Sequence, residues 1–349
     1  MNLEINGHNV LWVITLTFLV SVLLTPFVKI LANHIGAVDK PDKRKVHTKP
    51  TPRLGGLAIF ISFVVGYIFF LENSVQTTAI LIGGLIIVLL GIFDDIKEIK
   101  ARYKLIVQIL AASVVVCYGG IYLPELSAFG IHLVFGNFGY PLAILFIVAI
   151  INAINLIDGL DGLAAGISSI YFLTISILAF MLKRLGGLDL TLSLIMLGST
   201  LGFLVYNFNP ALIFMGDTGS MFLGYIIAII ALLGYKATTV TSLFVPMLII
   251  LLPILDTILA ILRRILKGEN IGAPDKEHIH HQLLKLNKSP RKTVFIMYGI
   301  SLLCAVISIF YSLGDNKLAI LLYIALLFVI VFLIFKTDIL FKQKKGSKK

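Results

Sequence analysis

Apolar runs long enough to cross about 30 Å of hydrocarbon as helices dominate this 349-residue chain. They fall near 8–33, 55–71, 76–93, 104–121, 140–157, 162–182, 188–206, 218–235, 240–262, 293–313 and 316–335. In lipid every backbone N–H and C=O must be satisfied inside its own segment, so such runs fold as helices rather than open strands. Hydrophobic residues make up 58% of the chain and charged residues 13%, too little polar surface to cover a soluble fold. The expected fold class is an all-α polytopic integral membrane protein of about eleven transmembrane helices. Residues 1–335 would be a single transmembrane domain and 336–349 a basic tail. The first run lacks the basic start and small-residue exit of a cleaved signal, so it is expected to stay as a helix. Trp12 suits an interfacial anchor. Cys117 and Cys304 both lie in apolar runs and read as inert thiols. In the 120–140 connection, GIHLVFGNFG places Gly-Asn among alternating apolar residues, which predicts a small external β-hairpin.

Basic residues set the orientation. One set of alternating connections, 34–54, 94–104, 152–162, 207–218, 263–292 and the tail from Lys336, holds all but five of the 29 lysines and arginines. The exceptions are Lys29 inside the first run, and Lys183, Arg184, Lys236 and Lys317 on the opposite side. The positive-inside rule assigns the rich set and the C-terminus to the cytoplasm, and the N-terminus to the outside. The net charge of +11 is then mostly topology. No basic stretch carries an aromatic stacking pattern, so nucleic acid is not an expected partner. The tail FKQKKGSKK reads as a solvated flank facing membrane lipids.

Against this background the acidic residues stand out. NAINLIDGLDGLAAG, 152–166, puts Asn155, Asp158 and Asp161 in a cytoplasmic connection whose 152–162 stretch has no lysine or arginine. Asp158 and Asp161 are three apart, and Gly159 and Gly162 allow close approach of a ligand or backbone. One aspartate there would read as a helix cap; two, with an asparagine, read as a site. GIFDDIKEIKARYK sets Asp94 beside Asp95, a pair that a divalent cation would hold, although Lys97, Lys100, Arg102 and Lys104 would also screen it. In NFNPALIFMGDTGSMFLG, Asp217 stands alone between Gly216 and Gly219, again either a cap or a ligand. Three acidic patches, two of them without local counter-charge, argue jointly for a shared cation.

The longest cytoplasmic connection, 263–292, carries His278, His280 and His281. Zinc lacks a fourth ligand there, so a phosphate-binding or proton-handling cluster is the expected use. VDKPDKRKVHTKPTPRLGG supplies Lys43, Arg44, Lys45, His47 and Arg53, most of which read as an ordinary positive-inside loop. Asp256 in PILDTILAILRR reads either as an internal ion-pair or packing residue or as a substrate contact, and is left outside the core site. Carboxylates for a metal, cations for phosphates and histidines at one membrane face suit phosphoryl transfer between a soluble nucleotide and a lipid. An ion-coupled transporter would also need intramembrane carboxylates. Its midplane placement and internal repeat are missing from the sequence.

NAINLIDGLDGLAAG, the FDD pair, FMGDTGSMFLG, PILDTILAILRR and PDKEHIHHQLL resemble, in order over about residues 38–292, the motifs of the polyprenyl-phosphate N-acetylhexosamine-1-phosphate transferases, glycosyltransferase family 4. The resemblance implies a bacterial plasma-membrane enzyme with eleven helices and a cytoplasmic active site. It would transfer a sugar 1-phosphate from a UDP-amino sugar to a polyprenyl phosphate with Mg²⁺ or Mn²⁺, giving UMP, and it leaves room for a homodimer. Carried over by motif, Asp94, Asp95, Asp158, Asp161, His280 and His281 would be catalytic. Asp217, Asp94 and Asp95 would hold the metal. Lys45, His47, Asn155, Phe214, Arg263, Arg264 and His278 would bind substrate, with Phe214 stacking on uracil. Glu98 stands where many relatives have aspartate or asparagine. The phospho-MurNAc-pentapeptide branch usually carries three consecutive histidines, whereas HIHH fits the GlcNAc-1-phosphate branch. The expected substrates are therefore UDP-GlcNAc and undecaprenyl phosphate, in the first membrane step of an envelope polysaccharide such as teichoic acid or O-antigen.

Overall fold

The computed structural model describes residues 4–5, 7–39, 50–128, 131–236, 243–268, 277–314 and 316–336. Helices make up most of it: α1 Val10–Ile35, α2 Gly56–Phe70, α3 Val75–Ile96, α4 Ala101–Ser113, α5 Gly139–Ile157, α6 Leu163–Met181 and α7 Leu188–Asn207. They continue with α8 Gly216–Lys236, α9 Phe244–Ile249, α10 Leu251–Lys267, α11 Ile279–Asn287, α12 Pro290–Ser312 and α13 Asn316–Lys336. A π-helical turn, Val114–Tyr118, continues α4. Among the described residues eight helices are long and apolar enough to cross a membrane: α1, α3, α4 with its π turn, α5, α6, α7, α8 and α12. Gly56–Phe70 and Lys317–Phe332 are shorter apolar helices. The fold is that of an all-α polytopic membrane protein.

Local chemistry sets the helix ends. Asn9 Oδ1 accepts the Leu11 amide at 2.9 Å to start α1, and Ser74 with Thr77 forms a capping box on α3. The apolar run expected at 240–262 is divided at Ile250 into α9 and α10. Pro246 and Pro253 each lie in the opening turn of their own helix, where a missing N–H costs little; in one unbroken helix Pro253 would remove an interior bond.

Three small antiparallel pairs accompany the helices. Glu4–Ile5 (β1) pairs with His8–Asn9 (β2), and Val38–Asp39 (β3) with Thr51–Pro52 (β4). Glu125–Ala128 (β5) pairs with Ile131–Val134 (β6) in the register Ala128↔Ile131. The expected hairpin is thus present, but IHLV is its second strand. Gly136–Phe138, which holds the Gly-Asn, forms a 3-10 turn into α5 instead.

α8 lies at the centre, packed on α2, α3, α5, α6 and α7, with Phe222, Tyr225, Ile226 and Ile229 all buried. Polar stitches join the layers where apolar contact alone would be weak in lipid. Ser62 Oγ donates to Thr17 O at 2.7 Å and meets Ser199 Oγ at 2.8 Å, tying α1, α2 and α7. Phe27, Ile30, Phe93, Ile106, Leu110 and Val205 are exposed, as expected of a perimeter solvated by lipid tails. The chain passes from the end of α3 to the start of α4, away along α4 to the β5–β6 hairpin, and back down α5. The C-terminal ends of α3 and α5 therefore meet the start of α8, and this end of the bundle gathers the acidic motifs.

Candidate active site

Asp94 and Asp95 close α3 at 3% and 4% exposure. Asp95 faces the first turn of α8: its carboxylate accepts the Asp217 amide at 2.9 Å, the Thr218 amide at 3.1 Å and Thr218 Oγ1 at 2.6 Å. An anion on orphan N–H groups at a helix start is favourable, and here it comes from another helix. Arg53 Nε adds an ion pair to Asp95 Oδ1 at 3.1 Å. Asp94 Oδ1 accepts the Ile99 amide at 2.7 Å. Its Oδ2 lies 2.8 Å from Lys104 Nζ, and the same ammonium stands 2.8 Å from Asp217 Oδ2. The counter-charge missing from the neighbourhood of Asp217 in the sequence is thus brought in by α4.

Arg53 owes its place to backbone pairing. The Phe214 amide donates to Pro52 O at 2.8 Å, and the Gly55 and Gly56 amides donate to Phe214 O and Met215 O, each at 2.9 Å. Gly56 presses on the backbone at Gly219, where a Cβ would overlap it. Gly56, at the end of the basic loop, therefore serves close approach of α2 to α8.

From α5 and its following turn come Asn155, Asp158 and Asp161. Asn155 Nδ2 donates to Ser220 Oγ at 2.9 Å. Asp161 Oδ2 accepts Asn209 Nδ2 at 2.8 Å and the Ala211 amide at 3.0 Å, fixing the segment before α8. Neither Asp158 nor Asp161 caps α6, which begins after Gly162 with no side-chain cap. The Asp158 carboxylate has no hydrogen bond or ion pair to any described residue. Burial, together with the charges of Asp217, Asp95 and Asp161, pushes its pKa up to about 8.

Two cavities open here. The larger, about 730 Å³, is lined by Arg53, Asn155, Asp158, Asp161, Phe214, Asp217 and His281, with neighbouring backbone. The smaller, about 340 Å³, is lined by Arg53, Asp94, Asp95, Glu98, Lys104 and Asp217, with neighbouring backbone. Arg53 and Asp217 belong to both. Of the three histidines, His281 reaches the larger cavity. His278 Nδ1 is 3.0 Å from Asp256 Oδ2. His280 is buried, with neither ring nitrogen hydrogen-bonded to a described residue, and it lies against Gly159, where a Cβ would overlap its ring. Burial and the neighbouring His281 push its pKa down to about 3.

Arg263 is buried and Arg264 half-buried, and neither lines either of these two cavities. Lys45 and His47 lie outside the described residues. Arg53, Lys104 and Asp256 were not among the expected site residues. The two cations were hidden in the positive-inside background. A lone carboxylate inside PILDTILAIL was the available sign for Asp256.

For a metal, the donor chemistry fits a hard divalent cation. Asp94 and Asp217 already share one positive charge from Lys104, and Asp158 offers a carboxylate with no described partner. Among the described residues no three His, Cys, Asp or Glu side chains converge as a ready cage. Mg²⁺ takes one or two carboxylates and completes its shell with water and substrate phosphates.

Fold and site together define a polytopic membrane protein with a charged, two-cavity site where helix ends meet at one end of the bundle. The profile of glycosyl transferase family 4 matches residues 77–235. The chain is 44% identical over 307 residues to a Bacillus subtilis protein, the probable undecaprenyl-phosphate N-acetylglucosaminyl 1-phosphate transferase, covering 85% of this chain and 84% of that one. It is 36% identical over 324 residues to the decaprenyl-phosphate N-acetylglucosaminephosphotransferase of Mycobacterium tuberculosis, with 83% and 80% covered. The undecaprenyl-phosphate alpha-N-acetylglucosaminyl 1-phosphate transferase of Haemophilus influenzae is 33% identical over 309 residues, with 85% of each covered. The chain belongs to glycosyl transferase family 4.

Proposed function

We propose that this protein transfers N-acetylglucosamine 1-phosphate from UDP-GlcNAc to undecaprenyl phosphate, giving undecaprenyl-diphospho-GlcNAc and UMP. One observation carries the reading: two adjoining cavities share Arg53 and Asp217. The larger has the size and lining for a nucleotide sugar, with Phe214 for the uracil face and Asn155 and Asp161 as polar contacts. The smaller, with Lys104 and Arg53, suits the acceptor phosphate. An oxygen of the lipid phosphate attacks the donor's β-phosphorus, the bond from that phosphorus to the α–β bridging oxygen breaks, and UMP leaves with the electron pair. Arg53 and Lys104 offset charge on the transferring group from positions that are already fixed. Asp95 holds the start of α8, and with it Asp217, in place.

Mg²⁺, or Mn²⁺, would be held by Asp217 with one neighbouring carboxylate, Asp94, and would supply charge neutralisation on the diphosphate oxygens. The excess of lysine and arginine on one set of connections supports a cytoplasmic site in a bacterial plasma membrane, with the N-terminus outside. Counting α2, α13 and the α9–α10 pair with the eight long helices gives eleven spans. HIHH supports GlcNAc as the sugar over the MurNAc-pentapeptide alternative. The test supplies purified protein with undecaprenyl phosphate and either UDP-GlcNAc or UDP-MurNAc-pentapeptide. UMP release from UDP-GlcNAc is expected, and faster release from the pentapeptide donor would move the chain to the peptidoglycan reaction.

A further inference from the structure

Asp256 is 1% exposed within α10, inside an otherwise apolar stretch, and borders neither cavity. A carboxylate buried without partners would be very costly, and both of its oxygens are engaged. Oδ1 accepts the Ile279 amide at 2.8 Å. Oδ2 stands 3.0 Å from His278 Nδ1 and 3.9 Å from His280 Nδ1. Ile279 is the first residue of α11, whose own N-cap residue, His278, makes no side-chain capping bond. A carboxylate from α10 thus serves an orphan amide of the helix that carries the histidine motif.

The same carboxylate sets the first imidazole. Beside a carboxylate acceptor, His278 Nδ1 is the nitrogen that donates its proton, which fixes the orientation of the ring. Ring contacts pass this order on. His278 and His280 are parallel within 9°, with centroids 5.7 Å apart. His280 and His281 have centroids 4.2 Å apart. His281 faces the larger cavity, while His280 rests on Gly159, next to Asp158. Charged groups that handle a phosphoryl group lose much of their effect when displaced by about 1 Å, so what fixes them matters to turnover.

We propose that Asp256 is a positioning residue for the transfer: through His278 and the Ile279 amide it sets the placement of His281 and of the Asp158–Gly159 turn at the donor cavity. Its kinetic test rests on the transfer reading above. Asp256→Asn keeps the shape and one acceptor, but offers an NH₂ group where His278 needs an acceptor, and so selects the other tautomer. With undecaprenyl phosphate and UDP-GlcNAc, D256N is expected to lose about 10- to 100-fold in kcat, the range for partners that orient a functional histidine, with KM for UDP-GlcNAc within about threefold. His278→Asn is expected to lose a similar factor, and the double variant to be no worse than the poorer single one, because both act on one unit.

A D256N kcat within about twofold of wild type, or losses that multiply in the double variant, would overturn the proposal. If D256N does not fold, H278N carries the test, since it leaves the Asp256–Ile279 bond in place; full kcat in H278N is then the overturning result. Wild-type protein that releases no UMP refutes the reaction and leaves the positioning role to a second readout. Diethyl pyrocarbonate, mapped by peptide mass spectrometry, should modify His280 and His281 at least about fivefold faster in D256N than in wild type, as expected when local packing opens. An unchanged modification rate would overturn the positioning role by itself.

Discussion

At the residue scale, carboxylates were the readable part of the site because charge inside apolar sequence is expensive and has to be explained by a partner. Asp94, Asp95, Asn155, Asp158, Asp161 and Asp217 do gather at one end of the bundle. The cations that face them were not readable: Arg53 and Lys104 look like any other positive-inside residues until the fold brings them 3.1 Å from Asp95 and 2.8 Å from Asp94 and Asp217. Asp217→Asn keeps a hydrogen-bond acceptor for Lys104 but loses the charge a metal needs. It should lower metal-dependent turnover by about a hundredfold or more while leaving a folded protein. The check is UMP release over a Mg²⁺ titration beside a melting curve; near-normal turnover at saturating Mg²⁺ would refute the shared-cation reading.

His280 supplies a second prediction at this scale. Its pKa in the folded protein is pushed down to about 3 from the ordinary 6.5, so the unfolded chain takes up the proton first. Stability is then lost as pH falls below about 6.5, by at most about 1.4 kcal/mol per pH unit from this group. The melting temperature in detergent should drop on acidification from pH ~7.5 to ~5, and His280→Gln should drop less steeply. Parallel slopes for the two proteins would contradict the buried neutral histidine.

At the element scale, the long helices follow directly from hydropathy, because in lipid an apolar segment of that length has no other way to satisfy its backbone. What escaped was punctuation. The 240–262 run reads as one span, yet Pro246 and Pro253 open two helices on either side of Ile250. The helix of the histidine motif begins only at Ile279, with His278 as its N-cap residue, and the His278 and His281 ring centroids are 6.4 Å apart. Caps and breaks depend on tertiary partners such as Asp256, which periodicity does not reveal. The orientation proposed for these elements is testable by labelling. A cysteine placed at Asn137, before α5, should react with an impermeant thiol reagent in intact cells, and one at Asn287, at the end of α11, only after the inner face is opened. The reverse pattern would put the site on the wrong side of the membrane for a soluble nucleotide donor.

At the scale of the whole molecule, the packed helices fix cations and carboxylates at one end of the bundle. α8, buried on nearly all sides, joins the two cavities through Asp217 in its first turn. The prenyl chain of an acceptor would stay among lipid-facing helices while its phosphate entered the smaller cavity. A transferase that moves only a sugar would leave both donor phosphates in the nucleotide product. The account requires the β-phosphate to move as well, and that separates it from simple glycosyl transfer. The most direct measurement follows the phosphorus. UDP-GlcNAc labelled on its β-phosphate is given to the purified protein with undecaprenyl phosphate and Mg²⁺, and the mixture is extracted with organic solvent. The label should pass into the lipid phase with the sugar, in equal amount to the UMP left in water; label remaining in water as UDP while the sugar enters the lipid would contradict the account.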